Sequence, residues 1–227
     1  MGQKVHPYGF RLGITCDWHA KWYARKHYAQ FLQDDLKLRR VVKQECANGD
    51  IARLEIERPG GELCLTLYSG RPGVLIGKRG QNVEALRAKL EGISGERVRL
   101  TIREIERPEL EACLVARSIA DRIEGRIPFR RAMKQAAFRT MQAGAKGVKI
   151  RCAGRLGGRE IARSEMSHQG QMPLHKLRAD ISYGFAAART MMGCIGVKVW
   201  IYRGDFVPNK IREKSVAAET SEVSQSS

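Results

Sequence analysis

No stretch of this chain approaches the ~18 consecutive apolar residues that a membrane-spanning helix requires. The opening MGQKVHPYGF has no apolar core of the kind a secretory signal carries. Gly2 sits where an N-terminal lipid would attach, but the sixth position is His6 rather than the Ser or Thr of that pattern. The six cysteines, Cys16, Cys46, Cys64, Cys113, Cys152 and Cys194, include no C-x-x-C pair, and their wide spacing suits reduced thiols. Cys16, His19 and His27 lie close in sequence without a fourth ligand, so neither a metal nor another cofactor is expected. No G-x-S-x-G or H-E-x-x-H segment occurs, which removes the familiar hydrolases. Acid is the other shortage: 24 Asp and Glu face 41 Lys and Arg, a formal net charge of +17.

What remains is a basic, globular chain. A hydrophobic fraction of 43% places the positive charge on folded domains and not on a disordered arm. Its 227 residues suffice for one large or two modest domains. Such an excess of cations favours a polyanion, most simply a nucleic acid whose condensed counterions are released on binding. No amphipathic helix with a large continuous apolar face speaks for a membrane surface.

Periodicity divides the chain. Aromatic residues (Trp18, Trp22, Tyr23, Tyr28, Phe31) precede a helical spacing at Phe31, Leu32, Leu38, Val41 and Val42, which Asp34 or Asp35 could restart as an N-cap. Ala52, Leu54 and Ile56 alternate with Arg53, Glu55 and Glu57; Pro59, Gly60 and Gly61 make a turn; Leu63, Leu65 and Leu67 alternate again, an antiparallel hairpin. Val83, Leu86 and Leu90 form one helical face ahead of Gly92 and Gly95, and Val98, Leu100 and Ile102 make a third strand with a basic exposed side. Two helical spacings follow, from about Glu109 to Gly125 and from Pro128 to Gly144, then alternation at Val148, Ile150 and Cys152, at Ile181, Tyr183 and Phe185, and at Val197, Val199 and Ile201. Helices beside an antiparallel sheet make this second unit α+β. The expected division is an extension over 1–17, a first domain over 18–107, a second over 108–207, and a polar, disordered tail over 208–227.

Between the first domain's strands lies VLIGKRGQN, residues 74–82, with two cations between two glycines. Gly77-Lys78 has the look of a Walker ending, but the required earlier glycine is Pro72 and the Mg²⁺-binding hydroxyl position is Arg79, which excludes a P-loop. The better match is the G-x-x-G loop of a KH domain, Gly77, Lys78, Arg79 and Gly80. Glycines admit a sugar-phosphate backbone, the following helix offers free N–H groups, and the two cations neutralise phosphate. A hairpin, a short helix, the loop, a helix and a third strand, in that order, resemble the type II KH fold.

The segments at 2–14 (GQKVHPYGFRLGI), 71–80 (RPGVLIGKRG), 129–136 (FRRAMKQA), 154–165 (GRLGGREIARSE), 173–181 (PLHKLRADI) and 196–204 (GVKVWIYRG) together resemble the bacterial-type S-three family of the small ribosomal subunit. The resemblance implies a type II KH domain followed by a C-terminal α+β domain with two helices on an antiparallel sheet. It further implies binding to small-subunit ribosomal RNA in the head and contact with messenger RNA where it enters. Neighbouring head proteins would be partners, the place cytoplasmic, and the role structural, not enzymatic.

Arg126, Arg130 and Lys134 recur every four residues, one helical edge with Arg131 beside it. A solvated basic face is the plain reading of such a run. The resemblance instead implies that Arg130, Arg131 and Lys134 face incoming messenger and assist the opening of paired RNA. Lys4, Arg11, Lys149, Arg151, Arg155, Arg159 and Arg163 are candidate ribosomal RNA contacts, since a phosphate contact needs only reach and charge. Two competing functions are a free KH regulator of messages and a DNA-repair lyase, but no lysine stands out as the nucleophile the latter needs.

Overall fold

A computed structural model of the chain describes residues 4–46 and 49–206; the tail from 208 on lies outside them. It contains two four-stranded sheets, each with its own helices and apolar core. No helix among the described residues is long and apolar enough to cross a membrane.

The first sheet runs β1 (Ala20–Lys21), β2 (Ile51–Glu57), β3 (Leu63–Ser69), β4 (Val98–Glu104), with β2 and β3 antiparallel and β4 parallel to β3. The parallel pairing is possible because α3 (Pro72–Ile76) and α4 (Gln81–Ser94) fill the crossover. Leu54, Ile56, Leu63, Leu65 and Leu67 turn to one side, where Leu38 and Val42 of α2 (Tyr28–Glu45) and Leu86 and Leu90 of α4 cover them. α4 passes through Gly92 and stops at Gly95.

Asp35 does not restart a helix. α2 is continuous through it, and the carboxylate is buried. It accepts from Arg58 Nη2 at 2.9 Å and from Trp22 Nε1 at 2.8 Å, while Arg58 Nη1 reaches Glu96 Oε2 at 3.0 Å. Arg58 also lies over Phe31, 4.4 Å from its centroid. One guanidinium thus joins α2, the end of β2 and the turn before β4.

The second sheet has the order β6 (Arg163–Gly170), β5 (Gly147–Gly154), β8 (Gly193–Asp205), β7 (Ala179–Thr190), antiparallel throughout. α5 (Ala112–Glu124) and α6 (Phe129–Gln142) cover the face carrying Val148, Ile150, Cys152, Val197, Val199 and Ile201. Burial pushes the Cys152 thiol up to about 11. On β7 the covered residues are Ala186 and Ala188, with Gly184 beside α5: a Cβ on Gly184 would stand 2.2 Å from the Ala112 carbonyl oxygen, so only glycine admits the helix there. Ile181, Tyr183 and Phe185, whose alternation marks the strand, point to the opposite face.

That opposite face is partly covered by the N-terminal segment. In α1 (Pro7–Arg11) Arg11 is 1% exposed and donates from Nε to the Ala179 carbonyl at 2.7 Å. Its Nη1 reaches Pro7 O at 3.0 Å, and its Nη2 reaches Leu174 O and Lys176 O at 2.9 Å each. His6 packs edge-on against Tyr183, centroids 4.7 Å apart. The segment then turns to the first sheet, where the His19 carbonyl accepts from Ile56 N at 2.9 Å and β1 pairs with β2.

Replacing Asp35 by Ala leaves the 7% exposed Arg58 guanidinium with Glu96 as its remaining carboxylate and takes the acceptor from Trp22 Nε1, so unfolding free energy should fall by about 1.5–3 kcal/mol. Asp34→Ala, which removes only the exposed pair with Lys37, should change it by less than ~1 kcal/mol. Urea denaturation of both variants measures the difference.

Candidate nucleic-acid interface

Gly77, Lys78, Arg79 and Gly80 form one turn between α3 and α4. Gly77 has φ 71° and ψ −175°, a region essentially reserved for glycine, and an added Cβ would meet the Asn82 side chain at 2.6 Å. Asn82 in turn donates from Nδ2 to the Val74 carbonyl at 3.2 Å, which fixes the turn against α3. Arg79 holds φ 54° and ψ 26°, a left-handed conformation uncommon outside glycine, and Gly80 follows at φ 79°. The backbone therefore swings both cations outward.

Gly80 caps α4 with no side-chain hydrogen bond; the Gln81 N–H donates back to the Lys78 carbonyl, and the next first-turn N–H groups are left to face an incoming anion. Flanking basic residues are neutralised: Arg71 pairs with Asp50 at 2.8 Å and Arg87 with Glu91 at 3.0 Å. Lys78 and Arg79 are exposed and enter no ion pair among the described residues, which concentrates uncompensated charge at the turn. Val74 and Ile76, 49% and 42% exposed, add an apolar rim on which a base could lie.

On α6, Ala132, Met133, Ala136 and Ala137 are buried while Arg130, Arg131 and Lys134 form an exposed edge. Arg126 is not part of it. It precedes the helix with φ 63°, and Pro128, which caps α6, keeps its predecessor out of the helical region. Arg130 makes a two-point fork with Glu165 of β6, Nε to Oε2 at 2.9 Å and Nη2 to Oε1 at 3.0 Å. Hydrogen bonding to Arg130 holds the Glu165 carboxyl below its usual range and raises the guanidinium in return.

The remaining candidates separate by what their side chains already do. Arg11 is withdrawn: it is buried and saturated by backbone carbonyls, leaving nothing for phosphate. Arg155 is committed to its loop, donating to Arg159 O at 3.0 Å and Met192 O at 3.1 Å. Arg163 lies 3.5 Å from Glu165, with its Nε buried and without a partner. Lys149 and Arg151 emerge on the outer face of the second sheet, Lys149 over Trp200 at 5.5 Å and Arg151 beside Ser164 at 3.4 Å. Lys4 and Arg159 are exposed.

Two features escaped the sequence reading. Tyr68 on the outer face of the first sheet lies between Arg53 and Arg103, 4.2 and 5.9 Å from its centroid, and donates to Glu55 at 3.1 Å. Alternating basic residues on β4 signalled this face in part. Glu165 had no signal, being 35 residues from Arg130. No group of three or more His, Cys, Asp or Glu able to hold a metal occurs among the described residues.

Comparison with known proteins agrees with the geometry. Residues 37–110 match the family model of the KH domain, and residues 119–201 match that of the C-terminal domain of ribosomal protein S3. The small ribosomal subunit protein uS3 of Dehalococcoides mccartyi is 52% identical over 221 residues, 97% of this chain and 79% of the relative. That of Streptococcus sanguinis is 52% identical over 94% of this chain and 99% of the relative. That of Carboxydothermus hydrogenoformans is 50% identical over 98% of this chain and the whole relative.

Gly77→Ala must leave its backbone region and push Asn82 aside, so the first domain should lose about 1–3 kcal/mol. Gly80→Ala meets open space and should cost less. Thermal unfolding of the two variants, read by circular dichroism, tests the order.

Proposed function

The chain belongs to the family of the small ribosomal subunit protein uS3, a structural component of the ribosome, and from that premise we propose how its surfaces are used. Residues 18–107 act as the RNA-binding unit and 108–207 as the unit that meets messenger. The turn at Gly77–Gly80 takes the backbone of small-subunit ribosomal RNA in the head of the subunit. The observation that carries this is the turn itself: two glycine conformations aim two unpaired cations and the open end of α4 at the same space. Phosphate contacts fix register, while Val74 and Ile76 cover an apolar base face.

Arg130, Arg131 and Lys134 hold messenger RNA as it enters. A rigid helix edge with three cations attracts paired and unpaired strands alike, so charge accounts for grip and not for strand separation. Separation follows when the passage admits only one strand: the cations retain it while translocation pulls, and the duplex opens outside. Lys4, Lys149, Arg151 and Arg159 offer further phosphate contacts, while Arg163 is held against Glu165. Neighbouring head proteins have a candidate surface in Tyr28, Leu32 and Leu36, an exposed apolar stripe four residues apart along α2. The setting is the cytoplasmic ribosome.

Replacing Lys78 and Arg79 together by Asp should leave circular dichroism unchanged and weaken binding of the isolated protein to its ribosomal RNA by tenfold or more at low salt, with a shallower salt dependence. Equal affinity across a salt titration would remove the turn from the interface. Replacing Arg130, Arg131 and Lys134 by Ala should leave subunit yield near normal and slow translation through stable hairpins, with unstructured messages little affected. Equal slowing on both, or loss of the protein from subunits, contradicts the assignment of these residues to messenger.

A further inference from the structure

The α6 edge is not three equivalent cations. Arg131 and Lys134 have no carboxylate partner among the described residues, whereas Arg130 is clasped by Glu165 through two hydrogen bonds of 2.9 and 3.0 Å. Glu165 stands on the helix-facing side of β6, opposite Cys152, with its side chain 24% exposed against 68% for Arg130. The carboxylate is therefore the anchored member of the pair and the guanidinium the mobile one. Arg163, 3.5 Å from the same carboxylate, steadies it further.

A two-point fork is the geometry by which arginine receives either a carboxylate or a phosphate. We propose that Glu165 is a built-in competitor for Arg130: it occupies the Nε–Nη2 side that a messenger phosphate would take and so lowers the hold of the α6 edge on the passing strand. This rests on the reading of α6 as the edge met by messenger. The other side of the guanidinium, Nη1 with the second Nη2 hydrogen, can still touch a phosphate, but against the charge of the tethered carboxylate. An arginine that already carries its own anion also releases few counterions on meeting RNA, so the edge binds with the salt dependence of two cations rather than three. A hold of that kind suits a strand that must be gripped and let go at each step.

The test uses complete small subunits carrying Glu165→Gln, Arg130→Ala, both together, or the triple alanine replacement at Arg130, Arg131 and Lys134. The probes are two unstructured RNA oligonucleotides, one long enough to reach α6 and one that ends short of it, with dissociation constants taken across a salt series. Glu165→Gln should tighten binding of the long strand by roughly twofold to fivefold, the range of a surface charge pair. The salt slope should steepen by about 0.7, one phosphate contact on a single strand. The short strand should be unaffected, and the gain should vanish when Arg130 is Ala. Unchanged binding by Glu165→Gln, while Arg130→Ala weakens it, overturns the competition and leaves the messenger-facing edge intact. Weaker binding overturns it as well, showing that the carboxylate orients Arg130 for RNA. A gain that persists with Arg130→Ala shows a general field effect and overturns it too. If the triple replacement holds the long strand as tightly as the unaltered subunit, the edge does not meet messenger and the proposal falls with that reading. Should Glu165→Gln subunits lack the protein, Glu165→Ala serves in its place.

Discussion

A single buried guanidinium, that of Arg11, fixes the N-terminal segment to the second domain. Burying a charge is costly, and burial lowers Arg11 from its ordinary value; four short hydrogen bonds to carbonyl dipoles offset the cost. Those carbonyls belong to α1 itself, to the 174–176 loop and to the first residue of β7, so the clasp orders all three. The segment that leaves it reaches the first sheet nine residues later, at Ala20, and joins it as an edge strand. The turn at Gly77 and the edge on α6 are built on separate cores, and this brace, with the packing of α5 near β2, sets their relation.

The two proposed RNA-binding surfaces solve the same electrostatic problem differently. At the turn, positive charge is left bare because neighbouring arginines are paired off with Asp50 and Glu91, and the backbone pays in left-handed conformations at Arg79 and Gly80. A permanent partner such as ribosomal RNA suits uncompensated charge on a rigid turn. At α6 the backbone is an unstrained helix and the tuning is done by a side chain from another strand. A transient partner suits charge that is partly compensated.

Much of the architecture was legible because period-2 alternation and Gly-Pro punctuation are local signals. The hairpin, the third strand and the two helices of the second domain follow from them, and so does the glycine turn. Asp35 was misread because aspartate at a helix start is ordinarily a cap; its burial depends on Arg58, 23 residues away. Arg11 was misread for a related reason, since an arginine saturated by carbonyls carries the same letter as one facing solvent. Arg126 fell off the helix edge because the proline after Ile127 overrides a four-residue spacing. The fork between Arg130 and Glu165 is a product of tertiary folding alone, created when β6 is laid beside α6.

The Arg11 clasp also sets an order of events. Arg11 and Ala179 lie 168 residues apart in the chain. At ~5–20 residues per second, the ribosome needs on the order of ten seconds or more to supply the acceptor after the donor has emerged. During that interval the first domain has all of α2, α3, α4 and its long strands and can fold. Its leading segment can rest Tyr8 against His19, but Arg11 still lacks the carbonyls of Leu174, Lys176 and Ala179. The brace consequently closes well after the first domain can fold, and a nascent chain stalled before β7 leaves a basic, aromatic leader without its Arg11 acceptors beside the nucleic acid around it.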